Sequence, residues 1–188
     1  MAQATENVLN KGFSGSIDKM LTFRQRSGKT FVGKKRRRNE GPPSEQMLTV
    51  RARFTACVAY AKKAIRDLKL KALYHGGRVG SQSAFNVATA DAFNAPVVKT
   101  INPENYHGAV GDIIAVDAVD DFKVVKVLVS VHNAAGTLIE EGNASLDPVQ
   151  LEWFYTSTVA NPALAGSKIT ATATDLPGNS ASLEITLQ

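Results

Sequence analysis

Five consecutive cations, Lys34, Lys35, Arg36, Arg37 and Arg38, are the densest chemistry in the sequence, set between "TFVG" and a Gly-Pro-Pro break. Arg24, Arg26 and Lys29 precede them, and Arg51 and Arg53 follow. Together these ten residues are the candidate partner-binding set. Like charges this close repel one another, so the cluster makes physical sense where an acidic protein surface or a phosphate backbone neutralises it. Single exposed ion pairs contribute at most about 1 kcal/mol, so such a cluster must act as a unit.

Catalytic chemistry is not legible elsewhere. His75, His107 and His132 lie in unrelated contexts, and no nucleophile elbow accompanies them. Cys57 is the only cysteine, which excludes an intramolecular disulfide and a thiolate metal cluster. On an apolar helix face it reads as a small core residue. "YHGGRVGSQS" has three glycines but neither a Gly-Lys-Ser/Thr ending nor a preceding buried strand, so it is not a phosphate loop. Asp117, Asp120 and Asp121 stand beside one strand end and Asp175 near another, hard oxygen donors of the kind that suit Ca²⁺. Their spacing lacks an established calcium loop, and solvated turn aspartates are the expectation. No catalytic residue, metal or cofactor is assigned. The chain reads as a non-enzyme without a small-molecule substrate.

The 188 residues are 44% hydrophobic and 21% charged, enough to bury a real core in one domain or two small units. Charge is unevenly placed. Up to Gly80 there are 18 Lys/Arg against 5 Asp/Glu, a balance of +13; from Ser81 on there are 4 against 12, a balance of −8, which together recover the net +5. A basic front and an acidic back imply two surfaces with different partners, and they let copies meet head to tail. The start, "MAQATENVLNKGFSG", shows no basic stretch followed by an apolar core, and nowhere do eighteen apolar residues run together. The expectation is a protein made in the cytoplasm without a signal peptide or a membrane span.

The cations must be held by defined elements. "LTFRQ" and "TFVGKK" alternate in polarity around the turn "RSGK", which predicts a β-hairpin over roughly 17–36. Two strands alone are marginal in water, so this hairpin requires a partner surface. Ser44 is a plausible N-cap for a helix whose apolar stripe runs through Met47, Val50, Phe54, Cys57 or Val58, Ala61, Ile65 and Leu68, about six turns. "SQSAFNVATADAFNAP" predicts a shorter helix capped by Ser81 or Ser83, with Phe85, Val87, Ala88, Ala92 and Phe93 packing on the long one.

After Pro96 the period changes from 3.6 to 2. "VVKTI", "GDIIAVDAV", "FKVVKVLVSVHN", "TLIEEGNASL", "VQLEWFYTST", "SKITATATD" and "SASLEITLQ" predict seven strands of a β-sandwich, with Trp153, Phe154 or Tyr155 between the sheets. The fold class is therefore α+β, mainly β. The domains are a basic hairpin-and-helix docking region, 1–95, and a sandwich, 96–188.

From about residue 111 to the end, "GDIIAVDAVDDFKVVKVLVSVHNAAG", "EWFYTST" and "ITATATDLPGNSAS" resemble bacterial or phage immunoglobulin-like domains, in which a strand closing in Ala/Thr-x-Asp precedes a Pro-Gly-Asn or Ala-Gly-Asn turn. "GFSGSIDKMLTFRQRSGKTFVGKKRRRNEGPPSEQMLTVRARFTACVAYAK" is similar to the opening of uncharacterised bacterial and phage-associated proteins. These resemblances imply an immunoglobulin-like fold and a structural subunit of a virion or phage-like particle. Its partners would be copies of itself and other structural proteins of the assembly. Nucleic-acid binding, with the same cations on phosphates, is the second function class.

Overall fold

Alternation in "LTFRQR" and "KTFVGK" builds the hairpin of β3 (Leu21–Arg26) and β4 (Lys29–Lys34), with Gly28 at φ +74° supplying the left-handed turn residue. In the computed structural model, which describes residues 2–4, 12–18, 20–26, 28–35 and 41–188, two further strands flank it. These are β1 (Ala2–Ala4) and β2 (Gly15–Ile17), giving the antiparallel order β1-β4-β3-β2. The short outer strands satisfy backbone groups that a lone ribbon leaves unpaired. Among the described side chains of this sheet only Phe23 and Thr30 are buried. Phe13 meets the Phe23 ring edge-on at 6.0 Å.

The chain divides into two compact units, Met1–Thr49 and Val50–Gln188, so the division falls well ahead of the change of periodicity at residue 96. Helix α1 (Glu45–Ala64) starts where Ser44 Oγ accepts the Met47 N–H at 3.3 Å. The single six-turn helix expected to reach Leu68 is instead two. Asp67 caps a new helix, α2 (Leu68–Gly76), accepting the N–H groups of Lys69 and Leu70 at 2.8 and 3.2 Å. A side chain that caps a new helix competes with continuation of the old one. Ser83 caps α3 (Ala84–Phe93) through the Asn86 N–H.

Only the second half of the α1 stripe is buried: Cys57, Ala61 and Ala64 are covered, whereas Met47, Val50 and Phe54 are exposed. Ala61, Ala64, Tyr74, Ala84, Val87 and Ala88 form a small helical core. Phe122 and Leu176, from turns between strands, pack against it, and the Phe122 ring lies 4.7 Å from that of Tyr74. Residues 50–64 of α1, the helices α2 and α3 and the C-terminal strands are thus one unit.

That unit holds two four-stranded antiparallel sheets. One has the order β5 (Val97–Asn102), β6 (Ile113–Val119), β10 (Trp153–Thr156), β9 (Ser145–Leu146); the other β12 (Ser180–Thr186), β11 (Lys168–Asp175), β7 (Val124–His132), β8 (Leu138–Asn143). All seven expected runs contain strands. The fourth, "TLIEEGNASL", is divided, with β8 in one sheet and β9 in the other. Alternate residues of both sheets make one core: Ile114 and Val116; Val127, Val129 and Val131; Ile169, Ala171 and Ala173; with Trp153 and Tyr155.

Within this core lies a carboxylate. Glu140 on β8 is only 5% exposed. It accepts Ser157 Oγ at 2.7 Å, Tyr155 Oη at 2.9 Å, and from Thr158 and Val159 two backbone N–H groups and a hydroxyl. Because Tyr155 belongs to the other sheet, this carboxylate ties the sheets together. Gly142 makes room for it, since a Cβ there would stand 2.7 Å from Tyr155 Cε2. Burial by itself would raise the Glu140 pKa, but its donors outweigh that and hold it below the usual carboxylate range. Burial, followed by the carboxylate, pushes Tyr155 up to about 12.

A depressed folded-state pKa stabilises above the unfolded value, and that stabilisation is lost as pH falls through the folded one. Thermal melts of the parent should therefore lose stability below the ordinary glutamate value of 4.5. Glu140→Gln should flatten that dependence and cost about 2–4 kcal/mol at neutral pH, because donors are left facing an amide. An equally steep acid limb in the variant would contradict this. Separately, a fragment of residues 50–188 should unfold in one calorimetric transition. A fragment of 96–188 should be weaker by roughly 2–4 kcal/mol, since Phe122 and Leu176 lose their helical cover; equal stabilities would refute that packing role.

Candidate functional site

Residues directly opposite in an antiparallel ladder project from the same face. Arg24 pairs with Phe31 and Arg26 with Lys29, so three expected partner-binding cations share one face with an aromatic ring. Arg24, Gln25, Arg26 and Phe31 line a hollow of about 250 Å³. Leu21 pairs with Lys34, and Phe23 with Val32, on the opposite face. Lys35 follows the strand, and its N–H donates to the Met20 carbonyl at 2.8 Å. The basic set is thus spread over both faces and the end of one sheet. Arg36, Arg37 and Arg38 lie outside the described residues.

Arg51 and Arg53 belong to the other unit, on α1. Arg51 is exposed. Arg53 donates through Nη2 to the Phe93 carbonyl at 2.6 Å, and its guanidinium stands 4.8 Å from the Phe93 ring centre. It therefore ties α1 to α3 and closes the C-terminal end of α3, where exposed carbonyls attract a cation.

A second constellation lies where α3 meets the strand ends. Asp91 of α3, Asp120 after β6 and Asp175 at the end of β11 each present a carboxylate oxygen, all within 4.8 Å of one another. Asp91 is 1% exposed and Asp175 3%. The Asp91 Oδ2 accepts the Tyr74 hydroxyl at 2.5 Å, and Tyr60 Oη stands 2.9 Å from that of Tyr74. Asp120 Oδ2 accepts the Lys123 N–H at 3.0 Å. Asp175 Oδ1 accepts the N–H groups of Gly178 and Asn179, and its Oδ2 accepts Asn179 Nδ2 at 2.7 Å. The Oδ1 atoms of Asp91 and Asp120 are buried without a partner.

Electrostatics make this cluster costly as it stands. Burial pushes Asp91 up to about 7; the Tyr74 hydroxyl opposes this, and the charges of Asp120 and Asp175 add to it. Burial and the bond to Asp91 also push Tyr74 upwards. Among the described residues the ion pairs are Lys99–Asp117, at 3.8 Å, and Lys168–Glu184, at 2.7 Å, so none of the three carboxylates has a cationic side chain beside it.

Of the four aspartates singled out in the sequence, Asp120 and Asp175 come together. Asp117 pairs with Lys99, and Asp121 accepts a bond from Asn94 Nδ2. Asp91 was not foreseen, although the sequence carries a signal for it. It falls three and four residues after Ala88 and Val87, on the stripe that the helix buries, where an aspartate is out of place. The Pro-Gly-Asn turn also has a role: Asn179 Nδ2 reaches the carbonyls of Asp91, Ala92 and Asn94 at 3.3–3.5 Å, closing the end of α3. Compared with known proteins, the chain matches no family model, no curated protein and no solved structure.

The two α1 arginines should separate experimentally. Arg53→Ala should lower stability by about 1 kcal/mol, because a carbonyl bond and a cation–π contact are lost. Arg51→Ala should be neutral within ~0.5 kcal/mol. Denaturant melts of the two variants check this, and equal effects would count against a tying role for Arg53.

Proposed function

We propose that this protein is a non-enzymatic structural subunit of a larger assembly, a virion or phage-like particle. Its basic N-terminal sheet docks on an acidic surface, and its C-terminal strands form an immunoglobulin-like domain. The observation that carries the reading is the N-terminal sheet itself. It has four strands, yet among its described side chains only Phe23 and Thr30 are buried. Phe13, Ile17, Met20 and Leu21 are exposed beside Arg24, Arg26, Lys29, Lys34 and Lys35. Sheets are stable when one face packs on something, and this one has apolar and cationic surface available for a partner.

Strand order supports the immunoglobulin-like part. β5-β6-β10-β9 and β12-β11-β7-β8 follow the sequence positions of an A-B-E-D sheet facing G-F-C, with β8 as the additional strand of variable-type domains. Two marks of antibody domains are replaced. The only cysteine, Cys57, lies on α1, outside the sheets, and the core tryptophan, Trp153, is on β10 rather than on the third strand. Glu140 and Tyr155 bridge the sheets instead.

A specific observation favours a second reading, nucleic-acid binding. Phe31 lies opposite Arg24 on the face that also carries Arg26 and Lys29, a ring among cations of the kind on which bases stack. One experiment tests both. Purified full-length protein should form particles, rings or filaments by negative-stain microscopy, and a variant with Arg24, Arg26, Arg36, Arg37 and Arg38 changed to Ser should remain monomeric with its main melting transition intact. If the variant assembles like the parent, the docking role is wrong. Loss of a steep salt dependence of oligonucleotide affinity in the same variant would favour the second reading.

A further inference from the structure

We propose that Asp91, Asp120 and Asp175 form a binding site for a hard divalent cation, Ca²⁺, that fastens helix α3 to both C-terminal sheets. The three residues come from three places in the chain. Asp91 lies on α3; Asp120 follows β6, of the β5-β6-β10-β9 sheet; Asp175 ends β11, of the other sheet. Two oxygens that share one Ca²⁺ at about 2.4 Å can stand no more than ~4.8 Å apart. All three carboxylate oxygens meet that limit.

An acidic cluster alone would not point to a ligand. The independent sign is the pair of orphaned oxygens. Asp91, 99% buried, keeps Oδ2 on Tyr74 and leaves Oδ1 with no donor, while Asp120 Oδ1 is also buried and unpartnered. Buried polar atoms in folded proteins almost always have partners. Among the described residues the other buried side-chain atom without a partner is the Tyr106 hydroxyl, a neutral group, whereas the buried carboxylate Glu140 has donors on both oxygens. The backbone and amide donors bonded to Asp120 and Asp175 go to other oxygens: the Phe122 and Lys123 N–H groups to Asp120 Oδ2, Gly178 and Asn179 to Asp175. What is left over is two bare oxygens, Asp91 Oδ1 and Asp120 Oδ1, beside the Asp175 carboxylate and without a cationic side chain.

All-oxygen, carboxylate-rich donors select Ca²⁺, Mg²⁺ or Mn²⁺ over the softer ions. Mg²⁺ gives up its water reluctantly and demands near-ideal octahedral geometry, whereas Ca²⁺ accepts irregular donors from flexible segments. Two of these carboxylates are almost fully buried, which forces dehydration and favours Ca²⁺. The more open Asp120 leaves a side on which water can complete the coordination.

The test uses the full chain, stripped of divalent ions with a chelator and dialysed. Millimolar Ca²⁺ should raise its melting temperature by roughly 5 °C, and Mg²⁺ by less than half as much. Asp91→Asn and Asp120→Asn, each close in shape to the parent residue, should melt at the same temperature with and without Ca²⁺. Tb³⁺ luminescence excited through Tyr74 and Tyr60 gives a readout independent of stability. It should appear in the parent, be displaced by Ca²⁺ and be lost in both variants. Absence of a Ca²⁺ shift and of Tb³⁺ luminescence in the parent overturns the proposal, leaving a proton shared between Asp91 and Asp120 to satisfy the two oxygens. Equal shifts in the variants also overturn it, and a larger shift with Mg²⁺ overturns the choice of ion.

Discussion

An ionised carboxylate taken out of water has to be given donors, a proton or a cation, because its desolvation is far more costly than any apolar contact is favourable. The C-terminal unit meets this requirement at two places. At Glu140 the answer is donors. A strand that contributes to one sheet places its carboxylate against Tyr155 and the Ser157–Val159 segment of the other, and every lone-pair direction that matters is used. The valines and isoleucines of β6, β7 and β11 press the sheets together, but apolar contact is non-directional. The directional bonds at Glu140 select one alignment of the two sheets.

At Asp91 the donors run out. Tyr74 serves one oxygen, and the neighbouring carboxylates increase the need for positive charge. This junction also brings the helices onto the sheets. Phe122 and Leu176 reach into the helical core, Asn179 closes α3, and Arg53 closes it from α1. Alanines at positions 61, 64, 84 and 88 let the helices approach closely around Tyr74. The helix-to-sheet attachment therefore depends on small residues for fit and on polar residues for registration.

The N-terminal unit follows a different economy of surface. Its four strands are joined in one antiparallel sheet, but among its described side chains only Phe23 and Thr30 are buried. Cations on both faces resist stacking of one such sheet on another. The chain carries an excess of acid in its own second half.

Local pattern made much of this legible in the sequence. The hairpin at Leu21–Arg26 and Lys29–Lys34, the cap at Ser44, the short helix after Ser83 and the seven C-terminal runs all follow from periodicity and turn chemistry, which act within a few residues. Asp67 was readable in principle as a cap, but the apolar stripe through Ile65 and Leu68 hid it. Three things were decided by tertiary structure alone. The strands at Ala2–Ala4 and Gly15–Ile17 form because the hairpin edges need partners. "TLIEEGNASL" divides between sheets because the inter-sheet clasp at Glu140 holds its first half and Trp153 pairs with its second. Asp91, Asp120 and Asp175 meet because α3 packs on the strand ends, and no spacing rule connects residues 29 and 55 positions apart. Periodicity carries which face of an element is buried; which carboxylates then face one another depends on the packing of distant elements, and that information is not local.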